Sequence, residues 1–132
     1  MKYTADSWFF IQLTNESKKA LEIWQDVRTG KSRLAIPTIV LVEITKRFLR
    51  KGKSKELSAL VSALDRSDKI FVVELTSEIS TLAGKFGHAY NIPTADSIIL
   101  ATAVTTGFTN LLSEDRHFIP AERESKIKRI IF

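Results

Sequence analysis

Residues 93–103 read Pro-Thr-Ala-Asp-Ser-Ile-Ile-Leu-Ala-Thr-Ala, and this stretch predicts the start of a buried helix with one acid in its first turn. We expect Thr94 to cap the free backbone N–H groups, and the apolar run from Ile98 onward to enter a core. The helix dipole favours a carboxylate at the position of Asp96, so helix stability alone would explain this acid. The alternative is that Asp96 is a metal ligand, in which case other segments must supply partner carboxylates.

The composition is typical of an ordinary globular protein. The 132 residues are 44% hydrophobic and 27% charged, which predicts one domain spanning residues 1–132. There is no cysteine, which excludes disulfides and thiolate metal sites and fits a cytoplasmic location. We find no signal peptide and no apolar segment of transmembrane length, and therefore expect no membrane association. The net charge of +5 favours a polyanionic partner, first of all RNA or DNA.

Strands and helices alternate along the chain. Apolar and β-branched runs predict strands at residues 2–6, 34–36, 69–75, 110–113 and 129–132. Helical periodicity predicts helices at residues 7–13, 16–29, 38–49, 54–64, 76–90 and 94–106. Ser7 and Thr76 are expected near helix N-caps, and Gly30 and Gly107 at helix C-terminal ends. This alternation is typical of a mainly parallel sheet covered on both faces, an α/β fold.

Two stretches have more than one interpretation. Trp8 to Ile11 are four consecutive large apolar residues, which one helix face cannot bury, so they form either a multiply buried helix, a partner surface or both. The segment from Lys46 to Lys55 carries six basic residues and no acid. It is either a solvated helix end or a patch that contacts phosphates, and the two interpretations are compatible.

Four acids from separate segments are expected at one edge of the sheet. Asp6 ends the first strand, Asp115 lies just past the fourth, Asp96 opens the helix before the fourth, and Glu43 lies in the helix after the second. Sites in parallel sheets form outside the carboxyl ends of the strands, where the strand order reverses. Clustered carboxylates repel one another, so such a cluster makes physical sense if Mg²⁺ or Mn²⁺ occupies it.

The motifs around these acids resemble the PIN domain. They are Asp6-Ser7 after the first strand, Glu43 in Val-Glu-Ile, Ala95-Asp96-Ser97 before an apolar run, and Leu-Leu-Ser-Glu-Asp-Arg-His-Phe at residues 111–118. The resemblance covers nearly the whole chain and is greatest to the VapC-like toxin ribonucleases of type II toxin–antitoxin systems. One departure is Trp8, which stands where the family often has a small polar residue.

The resemblance implies a fold and an activity. It implies a three-layer α/β/α sandwich with a five-stranded sheet, and a metal-dependent endoribonuclease that hydrolyses RNA phosphodiester bonds. Carried over by motif position, Asp6, Glu43, Asp96 and Asp115 would bind Mg²⁺ or Mn²⁺, and the Ser113 hydroxyl would orient a ligand or water. The family further implies a homodimer and a small antitoxin protein that covers an apolar groove, which we expect near Trp8, Phe9 and Trp24.

The sequence is also compatible with other functions. A non-catalytic nucleic-acid-binding or interaction domain would use the basic and apolar stretches, although clustered acids do not help to bind RNA. A metal-dependent DNA nuclease or phosphatase would use the same acids, but the paired aspartates of the phosphatase signature are absent after the first strand. Around the acids, we expect His117 to support its loop, while His88 is expected at a surface helix end. Arg116 either contacts a phosphate or pairs with a neighbouring acid, and we favour the pairing.

Overall fold

The fold is a five-stranded sheet with helices on both faces. A computed structural model describes all residues from 1 to 132. The strands are β1 (Lys2–Ala5), β2 (Arg33–Pro37), β3 (Ile70–Val73), β4 (Asn110–Leu112) and β5 (Lys128–Ile130). The helices are α1 (Ser7–Thr14), α2 (Lys18–Arg28), α3 (Thr38–Arg50), α4 (Ser54–Arg66), α5 (Ser77–Tyr90), α6 (Thr94–Thr106) and α7 (Ile119–Arg123), with a 3-10 turn at Arg116–Phe118. None of these helices has the length and apolar character that a membrane crossing requires.

The strand order places a reversal in the middle of the sheet. The order is β3-β2-β1-β4-β5, and every neighbouring pair is parallel. The chain moves from β1 to one edge and then returns to β4 on the other side of β1. Because crossovers between parallel strands are right-handed, the helices after β1 and β2 cover one face and those after β3 and β4 the other. The packing of α1 against α2 and α3, of α3 against α4, and of α5 against α6 agrees with this arrangement. The predicted three-layer α/β/α sandwich is therefore confirmed.

The core explains why the central elements are so apolar. The inner residues of β2, Leu34 to Ile36, are all buried, as a strand covered on both faces requires. Helix α6 buries residues on several sides, including Ile99 and Leu100, which are fully buried. Its buried Thr102 hydroxyl donates to the Ile98 carbonyl at 2.8 Å, so burial leaves that group with a hydrogen bond. Helix α6 is thus a rigid central element that ends, as predicted, at Gly107 with a φ of 76°.

Two predictions about helix N-terminal ends were wrong in detail, namely the first residue of α2 and the cap of α6. Ser7 lies next to the cap of α1, as predicted, because Asp6 takes the cap position and its carboxylate accepts from the Ser7 backbone N–H at 2.7 Å. Helix α2 begins at Lys18 and not at Glu16, since Glu16 has a left-handed φ of 57° and breaks the helical path. Pro93 occupies the cap position of α6, and Thr94 makes no capping hydrogen bond. Thr76, by contrast, caps α5 as predicted by accepting from the Ile79 N–H at 3.1 Å.

The apolar run in α1 is mostly core. Phe9 and Phe10 are fully buried, and Trp8 is 9% exposed and packs against Phe132 with ring centroids 4.8 Å apart. Ile11 is only half-buried. The helix is therefore buried on several sides. Phe9, near which a partner groove is expected, has no exposed surface and so does not itself offer a contact to a partner.

Candidate metal centre

Asp6 and Ser113 are joined at the reversal point of the sheet. Asp6 directly follows β1 and Ser113 directly follows β4, so parallel pairing of these two strands brings the residues together. The buried Ser113 hydroxyl donates to Asp6 Oδ2 at 2.6 Å, while Asp6 Oδ1 accepts from the Ser7 N–H. Burial still raises the pKa of Asp6, despite these hydrogen bonds, because a carboxylate loses its hydration there. Asp6 is thus both the cap of α1 and a firmly oriented acid.

Glu43 enters the same place from α3. Its Oε1 atom is buried and has no hydrogen-bond partner. Burial, followed by repulsion from Asp6, Asp96 and Asp115, raises the pKa of Glu43 to about 7. A buried acceptor without a donor is uncommon in proteins and calls for an explanation such as a bound ion.

Asp96 and Asp115 are bridged by His117. The Nδ1 atom of His117 lies 2.8 Å from Asp96 Oδ2 and 2.9 Å from Asp115 Oδ1. Burial, together with Asp115 and Asp6, raises the pKa of Asp96 to about 6, which the contact with His117 partly opposes. The charge of Asp115, assisted by Asp96, raises the pKa of the exposed His117. One ligand atom from each of these three residues lies within 4.8 Å of the others, whereas Asp6 and Glu43 do not join this tight group.

The loop after β4 is folded around Asp115. The Asp115 backbone N–H donates to the Ser113 hydroxyl at 3.1 Å, and the His117 N–H donates to Asp115 Oδ1 at 2.8 Å. Asp115 therefore caps the short 3-10 turn in the way that Asp6 caps α1. Both acids therefore occupy the cap position just before a helical segment, where backbone N–H groups of that segment donate to the carboxylate.

The acids line one open cleft. It has a volume of about 560 Å³ and is lined by Asp6, Ser7, Trp8, Ile11, Glu43, Asp96, Ser113, Glu114, Asp115 and Arg116. All four acids and the serine singled out from the sequence are therefore brought together. The expectation for Arg116 was wrong, since this exposed arginine forms no ion pair within 4.0 Å with any acid. His88 is exposed near the end of α5, as expected.

The residues of the cleft fit a divalent cation. Burial, followed for Glu43 and Asp96 by repulsion from the neighbouring acids, raises the pKa of three of the four acids, and one buried Glu43 oxygen has no hydrogen-bond donor. No lysine or arginine nitrogen lies within 4.0 Å of a carboxylate oxygen of the four acids. Carboxylate oxygens are the ligands that hard cations such as Mg²⁺ prefer, and Mn²⁺ also accepts imidazole nitrogen. The residues able to hold such an ion are Asp6, Glu43, Asp96 and Asp115, with His117 beside them.

Fold and sequence together define the family. The family model of the PIN domain matches residues 3–123, so the chain belongs to the PIN-domain family. This confirms the family that the four acidic motifs resemble. No curated protein matches the sequence.

Three solved structures of toxins or toxin–antitoxin complexes are similar to this fold. VapBC2 from Rickettsia felis, bound to a DNA fragment from its promoter, has a TM-score of 0.74 and 16% identity over 99% of this chain and 98% of that one. The VapC20 toxin of Mycobacterium tuberculosis, which cleaves the sarcin–ricin loop, has a TM-score of 0.68 and 20% identity over 90% and 94%. A toxin–antitoxin complex from Klebsiella pneumoniae has a TM-score of 0.67 and 18% identity over 88% and 89%. At these identities the likeness establishes the fold.

Proposed function

We propose that this protein is a metal-dependent endoribonuclease and the toxin of a type II toxin–antitoxin pair. The observation that carries the proposal is the convergence of Asp6, Glu43, Asp96 and Asp115 at the reversal point of the sheet. Four elements that are far apart in the sequence each contribute one acid, and the four carboxylates form no ion pair with a lysine or arginine. Such an arrangement is costly for a binding surface and useful for a cation site.

The chain's own residues would hold and orient the ion. Asp6, Glu43, Asp96 and Asp115 would supply oxygen ligands for Mg²⁺ or Mn²⁺, and Ser113 would fix the Asp6 carboxylate through its hydrogen bond. When bound, such an ion acidifies a water molecule and stabilises the charge that develops on the scissile phosphate. This chemistry requires no protein nucleophile. His117 would hold Asp96 and Asp115 in their relative positions.

RNA is the favoured substrate class. The net charge of +5 favours a polyanion, and one structural neighbour is a toxin that cleaves the sarcin–ricin loop. The exposed Arg116 borders the acidic cleft without an acid partner, and Arg47 lies one helical turn from Glu43 in α3. These cations could contact the phosphates on either side of the cleavage point. As a ribonuclease toxin, the protein would act in the cytoplasm.

The decisive experiment is cleavage of RNA with Mg²⁺ or Mn²⁺ by the parent protein and by Asp96→Asn and Asp6→Asn. Each variant removes one charged ligand, so we expect cleavage to fall by about 100-fold or more, while circular dichroism shows a folded protein. Asp65→Asn, an exposed acid on α4 outside the cleft, is the matched control and should cut normally.

Parallel assays on single-stranded DNA and on RNA decide between the two nuclease functions. If folded Asp96→Asn and Asp6→Asn cut as well as the parent, the acids do not form the active site. If only DNA is cut, the protein is a DNA nuclease. If the parent cuts neither nucleic acid with either metal, the non-catalytic binding function replaces the proposal.

The same proposal includes an antitoxin and a homodimer. An apolar groove of about 320 Å³ lies between α1, α2, α3 and α4, and its lining includes Leu13, Leu21, Trp24 and Leu60. Leu21 is 45% exposed although it is apolar. Two of the neighbouring structures contain toxin and antitoxin together, which supports a segment of an antitoxin as the occupant of this groove. The homodimer is proposed from the family resemblance.

A further inference from the structure

We propose that Arg129 is a positioning residue for the metal centre, because it holds the loop that carries Asp115. Arg129 belongs to β5, the strand beside β4, and its side chain is largely buried. The inference depends on the proposed metal-dependent function. It concerns a residue that no acidic motif includes and that does not contact the carboxylates of the cleft.

Glu122 anchors Arg129 at two points. The Arg129 backbone N–H donates to Glu122 Oε2 at 2.7 Å, and the side-chain Nε donates to Glu122 Oε1 at 3.1 Å. The hydrogen bonds to Arg129 lower the pKa of Glu122, so this carboxylate stays charged at neutral pH. A carboxylate that binds both the main chain and the side chain of one arginine fixes the direction of the guanidinium group.

The free end of the guanidinium reaches the loop after β4. Its Nη1 atom lies 3.4 Å from the carbonyl oxygen of Glu114 and 3.4 Å from that of Asp115. The same loop is also held by the Ser113 hydroxyl, which accepts from the Asp115 N–H. Arg129 therefore holds the carbonyl group of Asp115 and Ser113 its N–H group, so the direction of the Asp115 carboxylate depends on both.

The planar fork of arginine is needed for this arrangement. The Nε group binds Glu122 while the Nη1 group reaches two carbonyl oxygens, and a lysine ammonium on a flexible stem cannot span all these acceptors in fixed geometry.

The charge of Arg129 by itself predicts the opposite effect on metal binding. A positive group close to a cation site repels the cation, so removal of Arg129 would tighten metal binding if the residue acted only through its charge.

The test is the affinity of the whole protein for Mn²⁺, measured by electron paramagnetic resonance of the free ion, without any nuclease assay. We expect Arg129→Met and Arg129→Lys to weaken Mn²⁺ binding by about tenfold, as is usual when a residue that orients a metal ligand is lost. Lys128→Met removes an exposed cation from the same strand and should leave the affinity unchanged. If Arg129→Met does not fold, Arg129→Lys keeps the charge and carries the test alone.

The possible results separate this inference from the proposed function. Unchanged or tighter Mn²⁺ binding in folded Arg129 variants would overturn the positioning role, even if the parent cuts RNA. Weaker binding in both Arg129 variants and normal binding in Lys128→Met would support it, even if RNA proves to be the wrong substrate. A parent protein that binds no Mn²⁺ at all would remove both proposals.

Discussion

At the scale of single residues, Glu43 carries the most information about the cleft. The other three acids each have at least one hydrogen-bond donor, whereas one oxygen of Glu43 is buried without any. Its pKa is raised to about 7, first by burial and then by the three neighbouring acids. In the protein without metal, Glu43 therefore destabilises the fold whenever it is ionised.

Glu43→Gln should change how stability depends on pH. The pKa of Glu43 is about 7 in the folded protein, whereas its ordinary value is 4.5. The contribution of Glu43 to the free energy of unfolding is therefore fully present below pH 4.5 and is lost as the pH rises through 7. A neutral glutamine has no such loss. We expect the variant without metal to be more stable than the parent at pH 8, by about 1 kcal/mol after allowance for solvent screening.

Urea unfolding followed by circular dichroism at several pH values between 4 and 8, with a chelator present, would measure this difference. The pKa of Asp96 is also raised, to about 6, and Asp96 remains in the variant. The dependence of the free energy of unfolding on pH should therefore become smaller but should not disappear. Glu74→Gln, an exposed acid outside the cleft, is the control and should follow the parent curve. Identical curves for Glu43→Gln and the parent would contradict the assigned environment of Glu43.

The sequence predicts some residues of the cleft better than others. Asp6, Asp96 and Asp115 follow a strand or begin a helix, and these local signals are visible in the sequence. The contact of His117 with Asp96 spans 21 positions and depends on how the 3-10 turn meets α6. Arg129 has no local signal at all, because its role appears only when β5 pairs beside β4.

At the scale of elements, α5 and α6 pack against each other more extensively than any other two helices. Gly87 allows part of this approach, since a Cβ atom there would lie 2.9 Å from the Ser97 hydroxyl oxygen. That hydroxyl donates to the Pro93 carbonyl at 3.0 Å in the first turn of α6. The first turn of α6, which carries Asp96, therefore packs against Gly87 of α5, where there is no side chain.

Two glycines of α5 should respond in opposite ways to alanine. Gly84 has open space around it, so Gly84→Ala should stabilise the protein by about 0.5–1 kcal/mol through better helix propensity. Gly87→Ala must displace Ser97, and we expect a net loss of about 1–2 kcal/mol. Urea unfolding of both variants would measure the difference, and equal stabilisation by the two alanines would show that α5 and α6 do not meet so closely.

Element boundaries show where local sequence signals fail. The sequence predicts every strand and the six longer helices, because apolar periodicity extends over many residues. Single cap residues are less reliable, since Thr94 lies one position inside α6 while Pro93 takes the cap position. The short 3-10 turn and α7 were not predicted, because a five-residue helix contains too little periodicity to recognise.

At the scale of the whole molecule, the acidic cleft and the apolar groove are separate surfaces. The cleft lies where β1 and β4 end, and the groove lies between the helices of one face of the sheet. No residue lines both. An occupant of the groove can therefore be disturbed without any change to the acids.

Leu21→Asp should prevent binding of the cognate antitoxin and leave RNA cleavage intact. The change places a charge in an apolar groove, which an apolar partner segment would have to desolvate, and we expect affinity to fall by about 100-fold. Leu75→Asp is the matched control, because Leu75 is 46% exposed and lies outside the groove. Binding can be measured by isothermal titration calorimetry, and tight binding by folded Leu21→Asp would place the antitoxin elsewhere.

The two tryptophans provide an optical consequence of this layout. Trp8 lines the acidic cleft and packs against Phe132 with tilted rings, whereas Trp24 lines the apolar groove. There is no third tryptophan in the chain. Replacing either tryptophan with phenylalanine would leave a protein whose selectively excited tryptophan fluorescence reports on one surface alone. Events in the cleft and in the groove could then be timed separately in a stopped-flow instrument without any added dye.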